Sequence, residues 1–247
     1  MIQAASFMHQ ARKRGFRLFT GVPCSYLKPF INYALDAPEL DYVGAANEGD
    51  AVAVAAGADL AGRRSVVMFQ NSGLGNAVNP LTSLNAPFRI PALLVVTWRV
   101  EPGGPSDEPQ HELMGQVTPG MLDLLGIRWA FFPQTEDEIA PALARAVEHM
   151  AEMHLPFASL MRKDSVAPHA LRPAPAPCPP APRALPAADW PADPPGRDDV
   201  LRRVQAALRP GDAVIATTGY TGRALYALDD RPNQLYLVGS IDRKSVV

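Results

Sequence analysis

Apolar residues along the chain fall into two kinds of run. Short blocks with no polar face, such as S-V-V-M-F-Q at 65–70 and P-A-L-L-V-V-T-W at 91–98, alternate with segments whose apolar positions recur every three or four residues. The first kind fits strands of a parallel sheet covered on both faces; the second fits amphipathic helices. The pattern predicts a helix over 2–14 that stops at Gly15, then a strand in F-R-L-F-T-G-V-P at 16–23 that turns at Gly21 and Pro23. C-S-Y-L-K-P-F-I-N-Y-A-L at 24–35 predicts a second helix, with Ser25 as a possible cap. A short strand in D-Y-V-G-A at 41–45 leads to Asn47, which caps a helix of small residues. The strand at 65–70 runs into the loop N-S-G-L-G-N at 71–76, with a helix from about 77 to 84 beyond it. After the strand at 91–98, the segment 112–125 reads helical at its two ends around T-P-G. R-W-A-F-F-P at 128–133 predicts a strand, 136–153 an amphipathic helix, and P-F-A-S-L-M-R at 156–162 a last strand.

This alternation predicts an α/β domain over 1–165 with a mostly parallel sheet and helices on both faces. Ligands of such sheets bind beyond the carboxyl ends of the strands. Three unusual loops directly follow strands: G-V-P-C-S at 21–25, N-S-G-L-G-N at 71–76 and a long Pro/Gly loop at 99–111. They are expected to converge on one edge, and loops as long as the third tend to be functional. Residues 166–196 change character. Their core, A-P-A-P-C-P-P-A-P-R-A-L-P, reads as an extended polyproline-like linker. Beyond it, R-D-D-V-L-R-R-V-Q-A-A-L at 197–208 is an amphipathic helix. P-G-D-A-V-I-A-T-T-G-Y at 210–220 reads as turn, strand and loop, and Q-L-Y-L-V-G-S at 234–240 as one more strand. One helix and two strands cannot close a core, so 197–247 predicts an incomplete second α/β domain.

Composition narrows the classes. Of 247 residues, 47% are apolar, enough for a core, and the formal net charge of -2 with no Lys/Arg block gives no reason to expect nucleic acid or an anionic membrane surface. No segment approaches the ~20 apolar residues needed to span a bilayer, and the first residues lack signal-peptide architecture. The two cysteines, Cys24 and Cys178, lie far apart, so no disulfide framework is expected and a reducing cytoplasm is the expected setting.

The chemistry centres on A-A-N-E-G-D-A-V-A-V-A-A-G at 45–57, where Glu48 opens a run of small side chains. Glu48 either complements the helix dipole or is a buried acid that hydrogen-bonds a ring nitrogen of a flat cofactor, with the small neighbours leaving room for it. The loop 71–76 has the glycines of a phosphate cradle but neither a P-loop nor a G-x-G-x-x-G spacing, so a tight turn that lets a helix pack closely is the favoured reading. Ser72 is not in a G-x-S-x-G elbow. Cys24 and His111 have no context of a thiol nucleophile and base, while His111, closing the Pro/Gly loop, either steers an anionic substrate or is an ordinary loop histidine. No His/Cys spacing suggests a metal site.

Six motifs together carry a family resemblance: G-V-P-C-S at 21–25, N-E-G-D-A-V-A-V-A-A-G at 47–57, Q-N-S-G-L-G-N at 70–76, D-E-P-Q-H at 107–111, M-R-K at 161–163 and T-T-G-Y-T-G-R at 217–223. With them the chain resembles the phosphonopyruvate decarboxylases, thiamine diphosphate enzymes, and the sulfopyruvate decarboxylases share much of the first-domain pattern. The resemblance implies a thiamine diphosphate-binding fold with a pyrimidine-binding domain at 1–165 and the start of a diphosphate-binding domain at 197–247. It implies that Glu48 bonds the aminopyrimidine ring and promotes proton removal from the thiazolium. Asn71, Ser72, Gly73, Thr218 and Gly219 would contact the cofactor, Pro23, Cys24, Ser25, Gln110 and His111 the substrate, and His111 would share in catalysis. The implied reaction turns 3-phosphonopyruvate, a 2-oxo acid with a phosphonate group, into phosphonoacetaldehyde and CO2 during phosphonate biosynthesis. Arg99, Arg162 and Lys163 are cations able to balance its charge, though each is more simply a solvated or structural cation.

The family holds its diphosphate through Mg2+ with a G-D-G…N motif, and this sequence has none; G-D-A at 211–213 is not that motif. The tail I-D-R-K-S-V-V replaces the expected glycine- and alanine-rich helix, so the chain is expected to be truncated, with weak cofactor binding and no activity alone. A homo-oligomer with its active site at the subunit interface is the expected assembly. The alternatives are a sulfopyruvate decarboxylase-like subunit, whose α chain would stop near 165, and a non-catalytic fragment that only associates. A dinucleotide-binding protein would need the missing glycine fingerprint.

Overall fold

A six-stranded sheet in the order β2-β1-β3-β4-β6-β5 forms the frame of the first part of the chain in a computed structural model that describes residues 1–107, 111–172, 193–216 and 220–236. Its strands are β1 (Phe16–Gly21), β2 (Asp41–Gly44), β3 (Arg64–Gln70), β4 (Leu93–Thr97), β5 (Arg128–Phe131) and β6 (Phe157–Met161). Each pairs in parallel with its neighbours. Helix α1 (Ala4–Lys13) precedes them, and between them run α2 (Lys28–Asp36), α3 (Glu48–Leu60), α4 (Leu74–Pro80), α5 (Ala86–Phe88), α6 (Glu112–Leu124) and α7 (Glu136–Met153).

Alternation along the strands feeds two cores. Val66, Met68, Leu93 and Val95 pack with α1, α2 and α7, where the rings of Phe7, Phe30 and Phe132 stand 5.0–5.8 Å apart. Val67, Phe69, Leu94 and Val96 pack on the other face with α3, α4 and α6. Burying both faces is what makes the strand blocks read as continuous apolar runs. The strand order reverses between β1 and β3, and again between β4 and β6, so the loops after these strands border the crevices in which such sheets bind ligands.

Three local expectations are corrected. Ser25 does not cap α2: residues Ser25–Leu27 form a 3-10 turn, the helix starts at Lys28 with no side-chain cap, and the Ser25 hydroxyl accepts from Arg99 instead. A helical turn also begins at Asn71, and α4 starts at Leu74, earlier than the glycines of the loop suggest. The segment around T-P-G is one continuous helix, α6, with Pro119 inside it. Pro119 has no N–H to give the carbonyl of Gly115, four residues back. That carbonyl accepts the indole N–H of the buried Trp98 at 2.7 Å, so the gap in the helix ladder is filled from β4's exit.

The chain divides into two units, Met1–Arg172 and Pro173–Val247. In the second, α8 (Arg197–Ala207), β7 (Val214–Ala216), α9 (Tyr220–Leu228) and β8 (Gln234–Tyr236) are described, with β7 and β8 parallel. The sequence pattern missed α9, whose short amphipathic face follows a glycine-containing stretch. Gln205 of α8 is buried and donates to the Asp229 carbonyl and to the Gln234 side chain. Among the described residues no helix is long and apolar enough to cross a membrane.

Candidate active site

Asn47 caps α3 as expected, its side chain accepting the Asp50 N–H at 3.1 Å. Glu48 is therefore the first helical residue, and its side chain turns inward to only 8% exposure. Asn76 Nδ2 donates to Glu48 Oε2 at 2.7 Å. The Oε1 side of the carboxyl lies flat against Gly73: a Cβ there would stand 2.0 Å from Oε1. Small side chains after Glu48 let α3 come this close, since a Cβ on Gly49 would itself stand 2.9 Å from the Asn76 carbonyl oxygen. Taking a carboxylate out of water is costly unless it is hydrogen-bonded, and here the Asn76 amide supplies a hydrogen bond at the amino end of α3.

A second cluster forms where the ends of β1, β3 and β4 meet. Cys24 Sγ donates to Gln70 Oε1 at 3.4 Å and lies 3.7 Å from Thr97 Oγ1. Gln70 Nε2 donates to Ser72 Oγ at 2.6 Å and stands 2.9 Å from His111 Nε2. Arg99 Nη1 donates to Asp107 at 2.6 Å, Nη2 to Ser25 Oγ at 2.6 Å, and its guanidinium lies 4.5 Å above the Tyr26 ring. Burial works against the charge of Arg99, but hydrogen bonds to Asp107 and Cys24 outweigh it and lift its pKa above the usual arginine value. Burial likewise raises the Tyr26 hydroxyl, with Arg99 opposing. Beside Ser25 and Tyr26 opens a cleft of about 760 Å³, walled on its other side by Met161, Arg162 and His169.

One turn joins the two clusters: Gly73 backs Glu48, while Gln70 and Ser72, just before it, reach Cys24 and His111. Asn71 is fully buried and clamps that turn, exchanging hydrogen bonds with the backbone of Arg99 and donating to Thr118. Of the residues singled out in the sequence, Cys24, Ser25, Ser72, Gly73 and His111 thus meet on one edge with Glu48, and Pro23 lies exposed at the exit of β1. Gln110, Thr218 and Gly219 lie outside the described residues. Of the three candidate cations, Arg99 enters the cluster, Arg162 pairs with Glu101 at 2.7 Å over the Phe131 ring, and Lys163 is exposed. Sequence reasoning did not single out Gln70, Asn76 or Asp107. The first two stand at the ends of Q-N-S-G-L-G-N, and that position was the available signal.

A buried glutamate at the head of a small-residue helix, backed by a glycine turn at the carboxyl edge of a parallel sheet, defines the class. Residues 3–118 match the family model of the thiamine pyrophosphate enzymes, N-terminal TPP binding domain. The chain is 42% identical to phosphonopyruvate decarboxylase of Streptomyces viridochromogenes over its whole length, and it spans 62% of that relative. It is 33% identical to sulfopyruvate decarboxylase subunit alpha of Methanococcus maripaludis over 60% of this chain and 86% of that subunit. In fold it is similar to the thiamine diphosphate-dependent 4-hydroxybenzoylformate decarboxylase of Rhodococcus jostii RHA1, with a TM-score of 0.52 at 18% identity over 88% of this chain and 39% of that one. The chain belongs to the thiamine diphosphate-dependent decarboxylase family that includes the phosphonopyruvate and sulfopyruvate decarboxylases.

Proposed function

We propose that this chain serves the thiamine diphosphate-dependent decarboxylation of 3-phosphonopyruvate to phosphonoacetaldehyde and CO2 in phosphonate biosynthesis. The observation that carries the reading is the Glu48 carboxyl, buried, held by Asn76 and laid on a glycine that has no side chain to cover it. That cradle fits a flat aminopyrimidine. Thiamine diphosphate, when bound, supplies the electron sink for loss of CO2. Glu48 would hold a proton at a ring nitrogen and exchange it. Ser72 and Gly73 would border the ring, with Asn71 fixing their turn. Pro23, Cys24, Ser25, Gln110 and His111 would surround the substrate, and Arg99 would balance its anionic group.

On this reading 1–165 is the pyrimidine-binding domain, 166–196 a linker, and 197–247 belongs to a diphosphate-binding domain with Thr218 and Gly219 near the cofactor. Mg2+ would anchor the diphosphate, and no residue here is assigned as its ligand. A homo-oligomer with the site between subunits suits α3, whose exposed positions after Asp50 are the uncharged Ala53, Gly57 and Leu60. The cytoplasm is the proposed setting, in keeping with Cys24, a free thiol.

The test has two parts. Calorimetry with thiamine diphosphate and Mg2+ is expected to show binding that weakens about tenfold or more in Glu48→Gln, the scale of a lost hydrogen bond to a charged group. CO2 release, measured with and without a separate chain carrying the G-D-G…N motif, is expected to be faster from 3-phosphonopyruvate than from 3-sulfopyruvate. Preference for the sulfonate would favour the second reading, a sulfopyruvate decarboxylase-like subunit, which the match across 86% of an alpha subunit supports. Cofactor binding unchanged in Glu48→Gln would remove the reading altogether.

A further inference from the structure

We propose that Gln70 is a positioning residue that fixes the tautomer of His111, keeping the ring proton on Nδ1 and the lone pair on Nε2. One orientation of the Gln70 amide serves all its neighbours. Its Oε1 accepts from the Cys24 thiol at 3.4 Å, and its Nε2 carries two N–H bonds, one for Ser72 Oγ at 2.6 Å and one for His111 Nε2 at 2.9 Å. A donor facing Nε2 requires an acceptor there, so the proton of the neutral ring sits on Nδ1.

The far side of the ring agrees independently. Among the described residues His111 Nδ1 is buried with no hydrogen-bond partner, and the carboxylate oxygen Asp107 Oδ1 stands 3.6 Å away. A proton on Nδ1 points an N–H at that carboxylate. A bare Nδ1 would instead point a lone pair at it, and Nε2–H would meet the amide N–H of Gln70. Both ends of the ring therefore reject the Nε2–H tautomer. Asp107 is in turn held by Arg99 at 2.6 Å, and the Cys24 thiol lies behind Gln70; among the described residues these are the charged and titratable groups grouped around the ring.

The consequence is directional. His111 enters the neutral state able to take a proton at Nε2 and to give one at Nδ1, never the reverse. Charging the ring places an N–H against Gln70 Nε2, and the amide must then turn over to offer Oε1. That rotation moves the amide N–H bonds toward the Cys24 sulfur. The tautomer follows from geometry alone; any part it plays in turnover rests on the reading above.

The full chain, labelled with 15N-histidine, reports the tautomer through the two ring nitrogens in long-range 1H–15N spectra, with His111 assigned by loss of its signals in His111→Asn. The wild-type protein is expected to show Nδ1–H at a pH where the ring is neutral. Gln70→Leu removes the donor and is expected to shift the population toward Nε2–H, the form favoured by a free imidazole side chain. Gln70→Glu, nearly isosteric, offers only acceptors and is expected to move the proton to Nε2 outright. An Nε2–H ring in the wild type overturns the proposal. So does an unchanged Nδ1–H ring in Gln70→Leu or, should that variant not fold, in Gln70→Glu. The spectra need no cofactor, so this result stands apart from the fate of the decarboxylase reading.

Discussion

The carboxyl of Glu48 occupies the space that a methyl group on Gly73 would need. A Cβ built on Gly73 lies 2.0 Å from Glu48 Oε1, 2.1 Å from Cδ and 2.4 Å from Cγ. Gly73 itself has φ -85 and ψ -5, a conformation open to any residue. Contact with one side chain, and not backbone freedom, demands glycine here.

Gly73→Ala is therefore expected to push Glu48 out of its place. Overpacking of this kind costs about 1–3 kcal/mol, read as a fall in the urea midpoint. Calorimetry should show thiamine diphosphate binding lost or strongly weakened. Adding Glu48→Ala should restore much of the stability and none of the binding, because the clash is gone and so is the acid. Additive stability effects in that double-mutant cycle would contradict the contact.

Trp98 and Pro119 form a second testable pair. Trp98→Phe removes the N–H that, among the described residues, reaches the Gly115 carbonyl from outside the helix, and Pro119 has none to substitute. The expected cost is about 1–3 kcal/mol, the penalty for a buried acceptor left unpaired. Pro119→Ala restores an N–H four residues on, so in the Trp98→Phe background it should recover part of the loss by thermal or urea denaturation.

Arg99 binds through its fork, with separate nitrogens on Asp107 and Ser25 and a face on Tyr26. Lysine keeps the charge and cannot reproduce that geometry. Arg99→Lys should raise KM for an anionic 2-oxo acid several-fold, with little change in thiamine diphosphate affinity, since Glu48 lies in the other cluster. Equal weakening of both in calorimetry and kinetics would merge the two clusters into one.

Asp59, near the carboxyl end of α3, has its pKa raised by burial, with Arg64 and His154 only partly offsetting it. The native state then holds this proton more tightly than the unfolded chain. Stability falls as pH rises from the ordinary carboxylate value through the raised one, and the full cost is present at neutral pH. The amino end of a helix suits an acid and its last turn does not. Asp59→Asn should raise Tm at neutral pH, and the gain should vanish well below the ordinary carboxylate range.

Much of the fold was legible because its causes are local. The strand at 91–98 and the helix at 136–153 were placed by composition and period alone, and β4 (Leu93–Thr97) and α7 (Glu136–Met153) match them closely. Asn47 was readable as a cap because its side chain bonds a backbone group three residues away. Ser25 was misread by the same rule, because the Arg99 guanidinium, far along the chain, claims its hydroxyl. Helix α6 reads as two pieces in the sequence, since nothing near Pro119 along the chain shows that an indole from β4's exit serves the orphaned carbonyl.

The site divides along the same line. The parallel α/β plan, the glutamate before small residues and the glycine turn after a buried strand are legible along the chain, because periodicity, capping and turn chemistry act over a few residues. Long-range folding sets the rest: Gly73 backs Glu48, Asn76 donates to it, Arg99 rather than Arg162 or Lys163 enters the cluster, and Gln70 faces His111. Those relations join residues from separate strand ends, and the sheet order that brings β1, β3 and β4 side by side is set by long-range packing of both sheet faces, which no local pattern encodes.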